Sequence, residues 1–176
     1  MGPSIALVAS ELGLPKRDGS SETGVSKCIQ NTDDGAGAMP EIDWNTLRAK
    51  AIEASAHAYA PYSGFPVGAA AVTADDRILT GCNVENVSYG LGLCAECAVA
   101  CALHSSGGGR LVALTCVDAT GGLLMPCGRC RQVLLEHGGP GMLIDHPAGP
   151  RALGELLPDA FGPDDLDAVK GWSQTQ

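Results

Sequence analysis

The chain has 176 residues, enough for one compact domain and short of two comfortable ones. Apolar residues make up 45% of it and aromatics only 4%, so a sizeable core is available but must be built mainly from Ala, Val and Leu. A formal net charge of -9 with no run of Lys or Arg argues against a polynucleotide partner, because nucleic-acid binders carry basic stripes that displace counterions from phosphates.

Residues 1–38 differ in composition from the rest. From Lys16 to Ala38 the chain is rich in Ser, Gly, Thr and Asp, which reads as a flexible N-terminal extension; Cys28 within it has no evident partner. The apolar stretch Ile5 to Leu14 is broken by Glu11 and lacks a basic flank, unlike a secretory signal. The folded domain is expected over residues 39–176.

Asp43 is a candidate N-cap for a helix running through Trp44, Leu47, Ile52, Ala56 and Tyr59, where apolar residues recur at helical spacing. Ala60 to Pro66, with two prolines and a glycine, reads as a loop. Val67 to Thr73 and Arg77 to Cys82 are the strands of a hairpin turning at Asp75-Asp76. Asn83 to Leu93 is irregular. Cys94 to His104 is apolar on every face, as in a buried helix. Leu111 to Val117 is a strand covered on both faces. Pro126 leads into a helix beginning at Cys127 or Gly128 and ending near His137; Met142 to Ile144 is a short strand and Ala152 to Leu157 a helical turn. This order predicts a mixed sheet with helices on both faces.

Eight cysteines could suggest a disulfide scaffold, but the chain is long for one and most of its cysteines sit in apolar runs. Metal-bound or buried thiols in a reducing cytoplasm fit better. No apolar run approaches transmembrane length, so no membrane association is expected.

Two segments carry chemistry: Cys94-Ala95-Glu96-Cys97 and Pro126-Cys127-Gly128-Arg129-Cys130-Arg131. Each falls where a helix should start, and free N–H groups and the helix dipole at that end favour thiolates. Two such ends facing each other could present three thiolates to one Zn²⁺, leaving a site of formal charge about -1 for helix dipoles and Arg129 or Arg131 to offset. Three protein ligands leave a fourth position for water, whose pKa zinc lowers to roughly 7. Glu96, two residues after Cys94, could move protons there. Three other readings stay open on the motifs alone: a structural Cys₄ site that includes Cys97, a redox pair at Cys127 and Cys130, and inert core cysteines. The spacer from Ala98 to Pro126 is longer than the roughly 15–20 residues of a zinc ribbon, and a Cys₄ site gives Glu96 no role.

The pattern Cys-x-Glu followed by Pro-Cys-x-x-Cys resembles that of zinc deaminases. The likeness extends to His57-Ala-Tyr-Ala-Pro-Tyr-Ser-Gly-Phe-Pro-Val-Gly68, Gly81-Cys-Asn-Val-Glu-Asn86, Pro126-Cys-Gly-Arg-Cys-Arg-Gln-Val133 and Leu156-Leu-Pro-Asp-Ala-Phe-Gly162, and so to about residues 42–166. In order and spacing these segments resemble the small, homotetrameric cytidine deaminases. The resemblance implies a three-layer α/β/α fold with a mixed, about five-stranded sheet. It implies one Zn²⁺ per chain on Cys94, Cys127 and Cys130, with Glu96 as catalytic proton shuttle. It implies that Asn83 and Glu85 hold the sugar, Phe65 stacks on the pyrimidine, the Ala95 backbone contacts the base, and Phe161 reaches a neighbouring subunit's site. Substrates would be cytidine and deoxycytidine, or a cytosine-containing antibiotic on the same scaffold. At Cys97 many relatives have an Arg that donates to the zinc thiolates; Arg131 matches a second such Arg. His57, His104, His137 and His146 show no ligand spacing and are expected to be structural or on the surface.

Overall fold

The computed structural model describes residues 41–166. The expected extension 1–38 with Cys28, and the end of the tail, lie outside the described residues.

Helix α1, Trp44–Ser55, starts where the sequence places it. The Asp43 carboxylate accepts from the Thr46 N–H at 3.1 Å and from the Thr46 hydroxyl at 2.6 Å, satisfying donors that the first turn leaves free. It ends four residues before the expected Tyr59, because a distant segment claims Tyr59. Its N–H donates to the Asn83 carbonyl at 3.0 Å and its carbonyl accepts from the Glu85 N–H at 2.8 Å, a pairing that helical geometry would forbid.

Strands β1 (Val67–Thr73) and β2 (Ile78–Cys82) form the expected hairpin. Strand β3 (Leu111–Asp118) lies antiparallel to β1 on its other edge. Strand β4 (Leu143–Ile144) then pairs parallel with β3. A fifth strand not indicated by the local sequence, β5 (Arg151–Ala152), pairs antiparallel with β4 and gives the order β2-β1-β3-β4-β5. Two residues are too few for a period-2 pattern to show.

Helix α1 packs on one face of this sheet, where Leu47 and Ala51 meet Ala70 and Val117. Helices α2 (Ala95–Ser105) and α3 (Gly128–Gly138), with the short α4 (Leu153–Leu156), cover the other face. There Val99, Leu103, Leu134 and Leu153 pack on Ala69, Ala71 and Leu114. The alternation Ala69, Ala71 against Ala70 in one strand is the pleat serving two cores. The result is the expected three-layer α/β/α architecture.

Two glycines set the spacing of these layers. A Cβ at Gly68 would lie 1.9 Å from the Ala51 carbonyl oxygen, so only Gly lets α1 approach β1 this closely. A Cβ at Gly81 would lie 2.6 Å from the Ala95 carbonyl oxygen. Gly81 therefore lets the first turn of α2, which carries Glu96, press against β2.

Candidate metal centre

Cys94 and Cys127 are the N-cap residues of α2 and α3, both in extended backbone geometry. Cys130 follows within the first turn of α3. The Sγ atoms of Cys94, Cys127 and Cys130 all lie within 4.8 Å of one another. Sulfurs held about 2.3 Å from one tetrahedral ion would be about 3.8 Å apart, so the donor set fits zinc with little movement. Among the described residues this is the only such group of three or more His, Cys, Asp or Glu side chains, and Cys97 is not in it. The described cysteines form no disulfide.

The electrostatics also call for a cation. Burial pushes the Cys94 thiol up, against hydrogen bonds from Cys130 and Arg129. Burial and the charge of Glu96 push Cys130 up. At Cys127 burial acts in the same direction, but the Cys130 backbone N–H and the neighbouring thiols outweigh it and hold the group below its ordinary value. Three thiolates cannot share this space without a positive charge between them.

Glu96 is only 4% exposed, on the first turn of α2, and lines a cavity of about 440 Å³ together with Cys94, Cys127, Ala95, Asn83 and Glu85. That volume suits a small organic ligand. The structure thus brings two of the three expected metal ligands, Cys94 and Cys127, to one cavity with Glu96, Asn83 and Glu85, and Cys130 lies behind them in the sulfur cluster.

Asn83 and Glu85 are themselves braced. Asn83 Oδ1 accepts from the Val67 N–H at 2.8 Å, and Nδ2 donates to the Phe65 carbonyl at 3.0 Å. The Glu85 carboxylate accepts from the Tyr62 N–H at 2.9 Å, the Ser63 N–H at 3.2 Å and the Ser63 hydroxyl. The Ser63 hydroxyl and the Tyr62 N–H hold Glu85 below the usual carboxylate range.

Phe65 and Phe161 are not part of the cavity lining within this chain; they are 48% and 59% exposed. Arg131 also points elsewhere: its guanidinium donates to the carbonyls of Pro126 at 2.8 Å and Leu156 at 2.7 Å. The arginine that reaches a cysteine sulfur is Arg129, whose Nη2 lies 3.6 Å from Cys94 Sγ and 3.0 Å from the Gly92 carbonyl oxygen. Cavity residues that the sequence did not single out include Tyr89, Gly92 and Cys116. Tyr89 and Gly92 lie in the irregular stretch, and Cys116 reads as an ordinary position of a buried strand.

Comparison with known proteins agrees with this geometry. Residues 43–144 match the family model described as the cytidine and deoxycytidylate deaminase zinc-binding region. A cytidine deaminase of Mycobacterium tuberculosis is 73% identical over 128 residues, covering 73% of this chain and 96% of the relative. The crystal structure of a cytidine deaminase from that organism superposes with a TM-score of 0.68 at 72% identity, covering 69% of this chain and 99% of the other. One from Mycobacterium leprae superposes with a TM-score of 0.67 at 56% identity, covering 68% of this chain and 100% of the other.

Proposed function

The chain belongs to the cytidine deaminase family, zinc-binding hydrolases, and on that footing we propose that it converts cytidine and deoxycytidine to uridine and deoxyuridine plus ammonia, in pyrimidine salvage. The observation that carries this reading is the shared cavity: a buried carboxylate beside three clustered thiols, with an amide and a carboxylate also on its lining. A free nucleoside fits that space, whereas the net charge of -9 disfavours a polynucleotide.

Cys94, Cys127 and Cys130 would hold the zinc ion. When bound there, zinc supplies a Lewis acid that makes water nucleophilic near neutral pH. Glu96 takes the water's proton and passes it to N3 of the cytosine ring while the water oxygen adds to C4. It then takes the proton of the new C4 hydroxyl and delivers it to the amino group, which leaves as ammonia as the C4 carbonyl forms. Near-complete burial leaves Glu96 few rotamers and little competing solvent. The Ala95 backbone contacts the base near its exocyclic atoms, and Phe65, outside the cavity lining of a single chain, would stack on the ring. Asn83 donates to the 3′-hydroxyl and Glu85 accepts from it.

We place the deaminase domain at residues 39–176 and assign the protein to the cytoplasm as a homotetramer with shared sites. The family match beginning at residue 43 and the free thiols of the described cysteines support this. Apolar exposure near the cavity supports the assembly: Val87, Tyr89 and Leu91 are 78%, 81% and 66% exposed within one short segment. Phe161 would reach a neighbour's cavity. Among the described residues no helix is long and apolar enough to cross a membrane.

The test is a fall in ultraviolet absorbance with matching ammonia release when purified, zinc-loaded protein meets cytidine or deoxycytidine. Inactivity on both would overturn the substrate assignment.

A further inference from the structure

The thiol cluster is assembled from two parts of the chain: Cys94 from the entry to α2, and Cys127 and Cys130 from the start of α3. Loaded with one zinc ion, three thiolates leave a formal charge of about -1 in a half-buried setting, which invites a cationic donor. Arg129, exposed on the first turn of α3, supplies one. A single Nη2 reaches across to Cys94 Sγ at 3.6 Å and to the Gly92 carbonyl at 3.0 Å. Three other arginines of the domain are engaged elsewhere. Arg48 pairs with Asp145, Arg77 with Asp75, and Arg131 braces Pro126 against Leu156.

The Gly92 contact adds a second consequence. Leu93, next to it, is bridged to Val84, so Gly92 closes the loop that carries Glu85 and Tyr89 along the cavity wall. We propose that Arg129 is a positioning residue of the metal centre, donating to the Cys94 thiolate and pinning the 84–93 loop beside it through the Gly92 carbonyl. A guanidinium suits this task because its planar Nη2 group holds two hydrogens in fixed directions, one for the sulfur and one for the carbonyl, which a lysine ammonium on a flexible stem does less well. Removal of this donor leaves the Cys94 thiolate more electron-rich and the loop free on one side.

The inference rests on Cys94, Cys127 and Cys130 being the metal ligands, and its test separates the two. The full chain is loaded with Co²⁺, and the sulfur-to-cobalt charge-transfer band is recorded for wild type, Arg129→Ala, Arg129→Lys and Arg131→Ala. Zinc affinity is measured in parallel by chelator competition. Arg129→Ala should move the band to lower energy and weaken zinc binding about 10–100-fold, as removal of partners around metal ligands does. Arg129→Lys should move the band less, and Arg131→Ala should leave it in place. A wild type without a thiolate band would refute the ligand assignment itself. A normal wild-type band that Arg129→Ala leaves unmoved, or that Arg131→Ala moves equally, would overturn the role of Arg129.

Discussion

Asn83 accepts a hydrogen bond from the Val67 N–H at 2.8 Å, so an end of its side-chain amide fixes the first residue of β1. With Nδ2 also donating to the Phe65 carbonyl, the side chain holds the chain on both sides of Pro66. One Nδ2 hydrogen remains for a ligand hydroxyl. Asn83→Ala should therefore lower both function and stability: a KM for cytidine raised about tenfold or more, and a loss of about 1 kcal/mol in urea unfolding from the orphaned Val67 N–H. Steady-state kinetics and a denaturation curve on one preparation check both.

The arrangement of sulfurs separates a three-cysteine site from a four-cysteine one. Cys94→Ser should abolish stoichiometric zinc, whereas Cys97→Ser should keep one zinc per chain, because the Cys97 sulfur lies outside the cluster. Metal analysis of the two purified variants decides it; equal loss from both would restore the Cys₄ reading.

On the opposite side of the sheet, Arg48 forks onto Asp145, with Nε to Oδ2 at 2.7 Å and Nη2 to Oδ1 at 2.8 Å. The Thr115 hydroxyl adds a third bond at 2.8 Å to a carboxylate that is fully buried. The pair ties α1 to the residue following β4. Arg48→Ala leaves that charge in the interior with one partner and should cost about 2–3 kcal/mol, the lower range for a broken buried pair because Arg48 is partly exposed. Urea unfolding measures it, and kcat should change little.

His104 Nε2 and His137 Nδ1 lie 3.3 Å apart where α2 and α3 end. Burial, and then the charge of His104, hold His137 below its ordinary 6.5, with Glu136 opposing. Near that pH the unfolded chain binds more protons than the folded one, so stability rises with pH. It should fall as pH drops from about 7 through 6.5 toward the lower folded value. In His137→Gln this part of the acid sensitivity should vanish. Melting temperatures of both proteins between about pH 5.5 and 7.5 test the sign.

Much of the molecule was legible in its sequence where local chemistry decides the outcome. The Asp43 cap, the 67–82 hairpin and the helix starts at Cys94 and Cys127 follow from capping, turn and periodicity rules. The three-sulfur cluster was legible as one of several possibilities. What the sequence hid was set by contacts far along the chain. Tyr59 continues a helical pattern but is captured by Asn83 and Glu85. Arg151 and Ala152 become a strand only because Leu143 and Ile144 offer an edge. Arg129 and Arg131 sit two residues apart on one turn of helix, so spacing could not say which faces the sulfur. Their partners, Gly92 with Cys94 and Pro126 with Leu156, decide that in three dimensions.

The most direct test is cytidine turnover and zinc content measured together for wild type and Glu96→Gln. A proton shuttle acting beside an intact metal site predicts one zinc per chain in both, with turnover in the variant down at least about 100-fold. A Glu96→Gln protein that keeps its zinc and still deaminates cytidine near the wild-type rate would contradict the role given to Glu96.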